Sequence, residues 1–271
     1  MNGLATAPIP PLNDADFESI REMAYSACGI SLSVSKRALV SSRLEKLVRC
    51  HGFGSFTEYV SFLSDRKHGE DFSDFIDTLT TNHTGFWREP EHFIYLQKHI
   101  IPVHKTRLRI WSAACATGEE PYNIAMCALD AGVGNCSISA SDISKTALAA
   151  ARTAEYEASR LSLLPAGWKE RYFQHRNLPS GTQFRPIEQI RGMIQFASLN
   201  LLHPFPQLGL FDVIFCRNVM IYFDQSTRDA LVERLAQQLA PGGYLFTGHS
   251  ETLLHLPRSL VYAQPAVYRR V

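Results

Sequence analysis

RLRIWSAACATGEEPYNIAMCALDA, residues 107–131, decides the fold. The apolar run 108–112 predicts a strand, AACATGEEP a tight turn, and residues 121–131 a helix. A strand that feeds a helix through such a turn is the opening unit of a parallel sheet with crossover helices. The same alternation continues downstream. Residues 136–140 read as a second strand that ends at Ser141-Asp142, followed by a helix over 145–154. Further strands are predicted at 194–197, 213–216 and 244–247, with a helix over 227–239 stopped by Pro241-Gly242-Gly243. The closing runs 260–263 and 266–269 predict an antiparallel hairpin on the sheet edge.

Upstream the pattern differs. Residues 14–80 show no strand alternation and predict a small helical domain behind a proline-rich, flexible leader, 1–13. On a helical wheel over 35–49, Val40, Leu44, Leu47 and Val48 fall on one side, and Ser42, Arg43, Lys46 and Arg49 on the other. That basic face is either a solvated surface or a docking surface for an acidic partner. A polar stretch over about 160–192 fits neither repeat and is expected to be an inserted subdomain. The expected architecture is α/β: a Rossmann-like, doubly wound, mostly parallel sheet with an antiparallel C-terminal hairpin, over 107–271. A small all-α domain precedes it, joined by a linker, 81–106, that contributes to the site.

Composition narrows the function. The 271 residues are 45% hydrophobic and 20% charged, and 27 basic against 26 acidic side chains leave a net charge of +1. A bulk polyanion binder would carry a clear basic excess, so nucleic acid is not an expected partner. No run approaches the roughly 18–20 apolar residues that cross a bilayer, which predicts a soluble, cytoplasmic protein without membrane insertion. Six cysteines, at 28, 50, 115, 127, 136 and 216, form no CxxC pair and read as reduced thiols, with no metal site expected.

In a doubly wound sheet, ligands bind beyond the carboxyl ends of the strands. Four such places are polar here: the turn 113–120, Asp142, Ser198-Leu199-Asn200-Leu201, and Arg217-Asn218 through Tyr222. The small residues of the first turn allow close backbone approach. It lacks GxGxxG, however, and carries two carboxylates where a pyrophosphate needs positive or neutral donors, which argues against NAD and FAD. An acid about 20 residues beyond such a turn is placed for ribose hydroxyls. Asp142, 24 residues after Gly118, qualifies, although capping of the next helix is the plainer reading. An adenosyl ligand with a cationic centre and no phosphates fits this set, and S-adenosylmethionine is such a molecule, with Glu119 facing its positive end. The linker LTTNHTGFWREP, 79–90, either folds over a ligand or is a buried connector, with Phe86 and Trp87 filling a groove and Arg88 paired with Glu89.

Six ordered motifs, TTNHTGFWREPEHF, IWSAACATGEEPYNIAM, SASDIS, SLNLL, FDVIFCRNVMIYFD and LAPGGYLFTGHSET, resemble the bacterial chemotaxis receptor methyltransferases, the CheR family. The resemblance covers the chain from about residue 14 to its end. It implies a class I methyltransferase fold and a protein-glutamate O-methyltransferase. This activity uses S-adenosylmethionine, releases S-adenosylhomocysteine, and esterifies glutamates on the cytoplasmic helices of chemoreceptors. It further implies a monomer recruited to receptor arrays at the inner membrane face. Carried onto this sequence, the motifs make Asn82, Thr84 and Arg88 the linker's cofactor contacts, and Glu119 and Asp142 the amino-acid and ribose contacts. Asn200, Leu201, Arg217 and Asn218 enclose the adenosyl and methionine ends, and Arg88 and Tyr222 orient the reacting carboxylate. Arg43, Lys46 and Arg49 become the expected docking face for acidic receptor helices. Two departures stand out. His83 and Gly85 replace residue types common in the family, and RNLPSGTQFRP lacks the glycine-rich loop of members that bind a receptor pentapeptide tether. A module that binds S-adenosylmethionine for signalling without transferring methyl groups is the competing reading.

Overall fold

A computed structural model describes residues 8–65, 69–104, 107–178 and 181–271; residues 1–7 of the leader and 179–180 of the inserted loop lie outside it. The chain divides into two compact units, Met1–Thr81 and Asn82–Val271.

Among the described residues, the first unit holds α1 (Asp14–Cys28), α2 (Arg37–Cys50), α3 (Phe56–Ser64) and α4 (Glu70–Leu79). Local sequence sets their ends. The Asn13 side chain accepts from the Asp16 N–H at 2.8 Å to start α1, and Gly29, at φ 71°, ends it in the left-handed region that glycine adopts without strain. Ser55 caps α3 in the same way as Asn13 caps α1, accepting from the Glu58 N–H at 3.2 Å. The wheel drawn over 35–49 matches α2, except that Ser35 and Lys36 belong to a preceding 3₁₀ turn. Val40, Leu44 and Val48 are buried with Phe17, Ile20, Tyr59, Leu63 and Phe75, while Leu47, at the margin of the stripe, is half-buried.

The second unit runs α5 (Pro90–Tyr95), β1 (Leu108–Ala113), α6 (Glu119–Asp130), β2 (Cys136–Asp142), α7 (Lys145–Thr153) and β3 (Tyr156–Glu157). It continues through α8 (Trp168–Tyr172), β4 (Phe173–Leu178), β5 (Gly181–Pro186), α9 (Glu188–Arg191), β6 (Ile194–Ser198) and β7 (Phe211–Cys216). It closes with α10 (Gln225–Gln238), β8 (Leu239–Phe246), β9 (Leu260–Gln264) and β10 (Val267–Arg270). Seven strands form one sheet in the order β6-β2-β1-β7-β8-β10-β9, parallel except for β10 and β9. The chain first steps outward from β1 to β2 and β6, then returns to β7 on the other side of β1. The order therefore reverses between β1 and β7, and in doubly wound sheets ligands bind at such a switch point, beyond the carboxyl ends of the strands.

Side chains of the central strands alternate between two apolar layers. Ile110, Val213, Phe215 and Phe246 join α5, α6 and α7 on one face; Trp111, Ile214 and Leu245 join Leu231, Val232 and Leu235 of α10 on the other. Burial on both faces explains why these strands read as continuous apolar runs. Pro241-Gly242-Gly243 does not separate helix from strand as expected: α10 stops at Gln238 and the triplet lies inside β8. The pairing of β7 with β8 shifts register between Phe211 and Val213, and a Cβ on Gly243 would lie 2.9 Å from the Asp212 carbonyl oxygen. The glycine serves close strand approach at a bulge. The inserted segment forms a separate antiparallel sheet, β3-β5-β4, beginning at Tyr156, upstream of 160, because a two-residue strand shows no periodicity.

Candidate functional site

The turn after β1 is wound by three alternate residues with positive φ: Ala114 at 62°, Ala116 at 47° and Gly118 at 94°. For the two alanines this costs on the order of 1 kcal/mol each, so the surroundings must hold them there. Asp142, at the end of β2, does part of that work. One carboxylate oxygen accepts from the Ala116 N–H at 2.8 Å, and the other from the Ser144 N–H at 2.9 Å. The cap of α7 is Ser144, whose hydroxyl accepts from the Ala147 N–H at 3.0 Å. The Asp142 carbonyl also accepts from the Leu199 N–H at 3.0 Å, which brings the end of β6, and with it Asn200 and Leu201, to the same place. Asn200 turns the chain there, its side-chain oxygen accepting from the Leu202 N–H at 3.0 Å. Asn82 reaches the site from the linker, donating to the Ser144 hydroxyl at 3.3 Å.

Gly118 has a different duty from the one expected of a small residue in a binding turn. A Cβ on it would sit 2.9 Å from that of Ala151, so its bareness lets the start of α6 pack on α7.

Glu119 opens α6 fully buried, with Thr117 donating to it at 2.7 Å and an ion pair to Arg160. Arg160 comes from the inserted segment and was not foreseen, since nothing local links positions so far apart in sequence. Glu120, the next residue, accepts from the Ser112 hydroxyl at 2.7 Å and from Arg217 at 2.8 Å.

Arg217 follows β7, and its side chain is consumed by the protein. Besides Glu120, it donates to the Arg88 carbonyl at 2.6 Å and to Glu89 at 3.0 Å, and it lies 5.4 Å above the Phe93 ring. Glu89 therefore pairs with Arg217, correcting the expected Arg88–Glu89 pair; Arg88 instead donates to the His83 carbonyl at 2.8 Å. Burial pushes the Glu89 carboxyl up, but Arg217 and the Asn218 amide, donating at 3.1 Å, outweigh it and hold it below the usual carboxylate range. Asn218, at φ 58°, is fixed by Glu251, which accepts from the N–H groups of Asn218 and Gly248 at 2.6 Å each and of Ile221 at 3.2 Å. Burial nonetheless raises the Glu251 pKa. Glu89 and Glu251, both missed as site residues, were legible only as members of REP and HSE. Tyr222 ends the 3₁₀ turn Met220–Tyr222 beyond β7 and is half-buried; Thr84 is also half-buried.

In the linker, Phe86 is buried edge-on against Tyr156 and Phe173, with ring centres 4.9 and 5.5 Å away. Trp87 stacks on Phe93 at 5.2 Å. Both rings pack on the sheet unit itself. In the first unit, Arg43 donates to the Leu79 carbonyl at 2.9 Å and to the Thr81 hydroxyl at 3.1 Å, and Arg49 pairs with Glu45 at 2.7 Å, while Lys46 is exposed. The basic face is thus partly committed to internal bonds.

The donor set can be tested against the ligand inferred from sequence. Buried Glu119, half-buried Glu120 and Asp142 surround the first turn, an arrangement that repels a pyrophosphate and suits a positively charged adenosyl donor. Comparison with known proteins agrees. Residues 82–267 match the family model described as CheR methyltransferase, SAM binding domain, and residues 15–80 match CheR methyltransferase, all-alpha domain. The chain belongs to the CheR methyltransferase family. Chemotaxis protein methyltransferase 2 of Pseudomonas aeruginosa is 43% identical over 248 residues, covering 89% of this chain and 87% of that one. Chemotaxis protein methyltransferase of Escherichia coli is 39% identical, covering 95% and 91%. As a CheR methyltransferase, the protein binds S-adenosylmethionine, and its seven-stranded sheet is the class I methyltransferase fold. No helix among the described residues is long and apolar enough to cross a membrane.

Proposed function

We propose that the protein methylates glutamate side chains on the cytoplasmic helices of chemoreceptors, forming methyl esters in sensory adaptation. The observation that carries this reading is that two CheR methyltransferase family models match residues 15–80 and 82–267, and that relatives 39–43% identical over most of the chain are named chemotaxis protein methyltransferases. Cofactor contacts are assigned to Asn82, Thr84, Arg88, Glu119, Asp142, Asn200, Leu201, Arg217 and Asn218. For Arg217 the contact must come from its backbone, because its side chain is 3% exposed and bonded within the protein.

When bound, S-adenosylmethionine supplies an activated methyl group on a positively charged sulfur. The residues of this chain have to position the acceptor. A glutamate, with a pKa of about 4.3 in water, is already ionised at neutral pH, so the reaction needs no general base. Alignment then provides most of the acceleration, a contribution that reaches roughly 7–11 kcal/mol for well-placed partners. Arg88 holds the carboxylate by charge-assisted bonds. Its grip has to stay moderate, since the acceptor's charge disappears as the ester forms. Tyr222, a neutral donor, aims the oxygen at less electrostatic cost. Glu119 receives the positive amino group of the methionine end, which requires Arg160 to share or leave that carboxylate.

The test is transfer of tritiated methyl from labelled cofactor into membranes that contain the organism's own chemoreceptors. Base-labile label mapped to glutamates of receptor helices is expected. Saturable cofactor binding with no transfer would support the signalling-module reading instead, and base-stable label would point to nitrogen or carbon as the acceptor.

A further inference from the structure

Beside the Arg217 network lies a cluster for which methyl transfer has no use. His92, in the first turn of α5, is 0% exposed, and neither of its ring nitrogens has a hydrogen-bond partner. Leaving such a group unpaired in a protein interior is costly, and native structures rarely do so without a reason. Its Nδ1 lies 3.5 Å from Oε2 of Glu89, three residues earlier, at the N-cap of α5. His249, from the loop after β8, meets it ring to ring with centroids 4.7 Å apart at 72°. One ligand atom each from Glu89, His92 and His249 lie within 4.8 Å of one another. Those separations are close to what ligands around a single small cation require.

We propose that Glu89, His92 and His249 form a binding site for one divalent cation of the zinc class. Two imidazoles and one carboxylate are a ligand set that borderline ions favour and that magnesium and calcium, which seek several oxygens, do not. Three protein ligands leave a fourth position open. His249 is the exposed member of the set, and it and Glu91 help to line a cavity of about 530 Å³. This is an entry path for the ion.

Charge balance points the same way. Glu89 and Glu120 put two carboxylates on the single guanidinium of Arg217. Arg217 already bonds Oε2 of Glu89, but each carboxylate oxygen can accept a second partner, so that bond orients the ligand from outside the ion. Occupancy would clip the start of α5, next to Arg88, to the loop that carries Glu251.

The experiment uses the full, untagged chain stripped with a chelator, equilibrium dialysis against zinc chloride, and thermal midpoints with and without zinc. One zinc per chain and a raised midpoint are expected. His249→Ala, at an exposed position, should weaken zinc at least tenfold and abolish the rise, and His92→Gln should do the same. His255→Ala, exposed and paired with Asp229 elsewhere, should leave both unchanged, as should Cys50→Ser at the exposed thiol. Magnesium should have no effect. Failure to retain stoichiometric zinc, His249→Ala titrating like the wild type, or loss of zinc in Cys50→Ser would each overturn the proposal.

Discussion

Asp142 serves the fold, and the proposed cofactor contact would give the same side chain a second duty. Its two oxygens fasten the strained turn at Ala116 and the start of α7 at Ser144, so Asp142→Ala should lose two effects at once. Calorimetric titration with S-adenosylhomocysteine should show affinity lowered roughly 10- to 100-fold, the worth of a hydrogen bond to a charged group. Chemical denaturation should show a separate loss of about 1–3 kcal/mol from the orphaned N–H groups. Asp142→Asn keeps an acceptor oxygen, so it should recover part of the stability while binding stays weak. Unchanged affinity in both variants would remove Asp142 from the cofactor's contacts. Tyr222→Phe deletes only a donor, and Arg88→Ala deletes one whose bond to His83 costs little to lose. Both should lower kcat about tenfold or more, with product affinity preserved for Tyr222→Phe; single-turnover kinetics would check this. The residue types at these positions were legible in the sequence. Their partners were not, because Glu119 with Arg160 and Arg217 with Glu89 pair across long chain separations that no local periodicity encodes.

Elements were legible in proportion to how far local rules govern them. The strand and helix of 107–131 were placed to within two residues, since burial on both faces gives an apolar run and Gly118 marks the helix start. The end of α10 was placed to within one residue, but β8 starts at Leu239 rather than at 244, because glycine and proline read as a break, whereas here Gly243 answers to the approach of β7. Gly118 makes a related point about helix packing. Gly118→Ala would set a Cβ 2.9 Å from that of Ala151 at φ 94°, so a loss of about 1–3 kcal/mol is expected in urea denaturation. Combining it with Ala151→Gly relieves the contact but not the backbone strain, and should recover part of that loss. Within the helical unit, Arg43 ties α2 to the carbonyls that end α4. Arg43→Ala should lower stability by about 1–2 kcal/mol whatever its effect on receptor. Arg43 is therefore a poor probe of docking, and its removal would mimic a docking defect by loosening the helices.

At the scale of the whole molecule, the assigned labour divides along the chain. Every residue proposed to contact cofactor or acceptor, from Asn82 to Tyr222, lies in the unit Asn82–Val271, and every residue proposed to dock receptor lies in Met1–Thr81. The net charge of +1 provides no general attraction for acidic receptor helices, so any steering has to come from a local patch such as the one bearing Lys46 and Arg49. Lys46 is exposed, and Arg49 has Glu45 one turn away at 2.7 Å, so a variant with Lys46→Glu and Arg49→Gln removes the patch without setting two carboxylates face to face on α2. Its KM for receptor should rise severalfold, kcat at saturating receptor should hold, and affinity for S-adenosylhomocysteine should be unchanged. Because exposed charges are screened over about 10 Å at 0.1 M salt, the wild-type KM should climb with ionic strength while the variant's stays flat. Matching KM values and matching salt dependence in the two proteins would remove docking from this face of the helical unit and leave its charges as ordinary solvated surface.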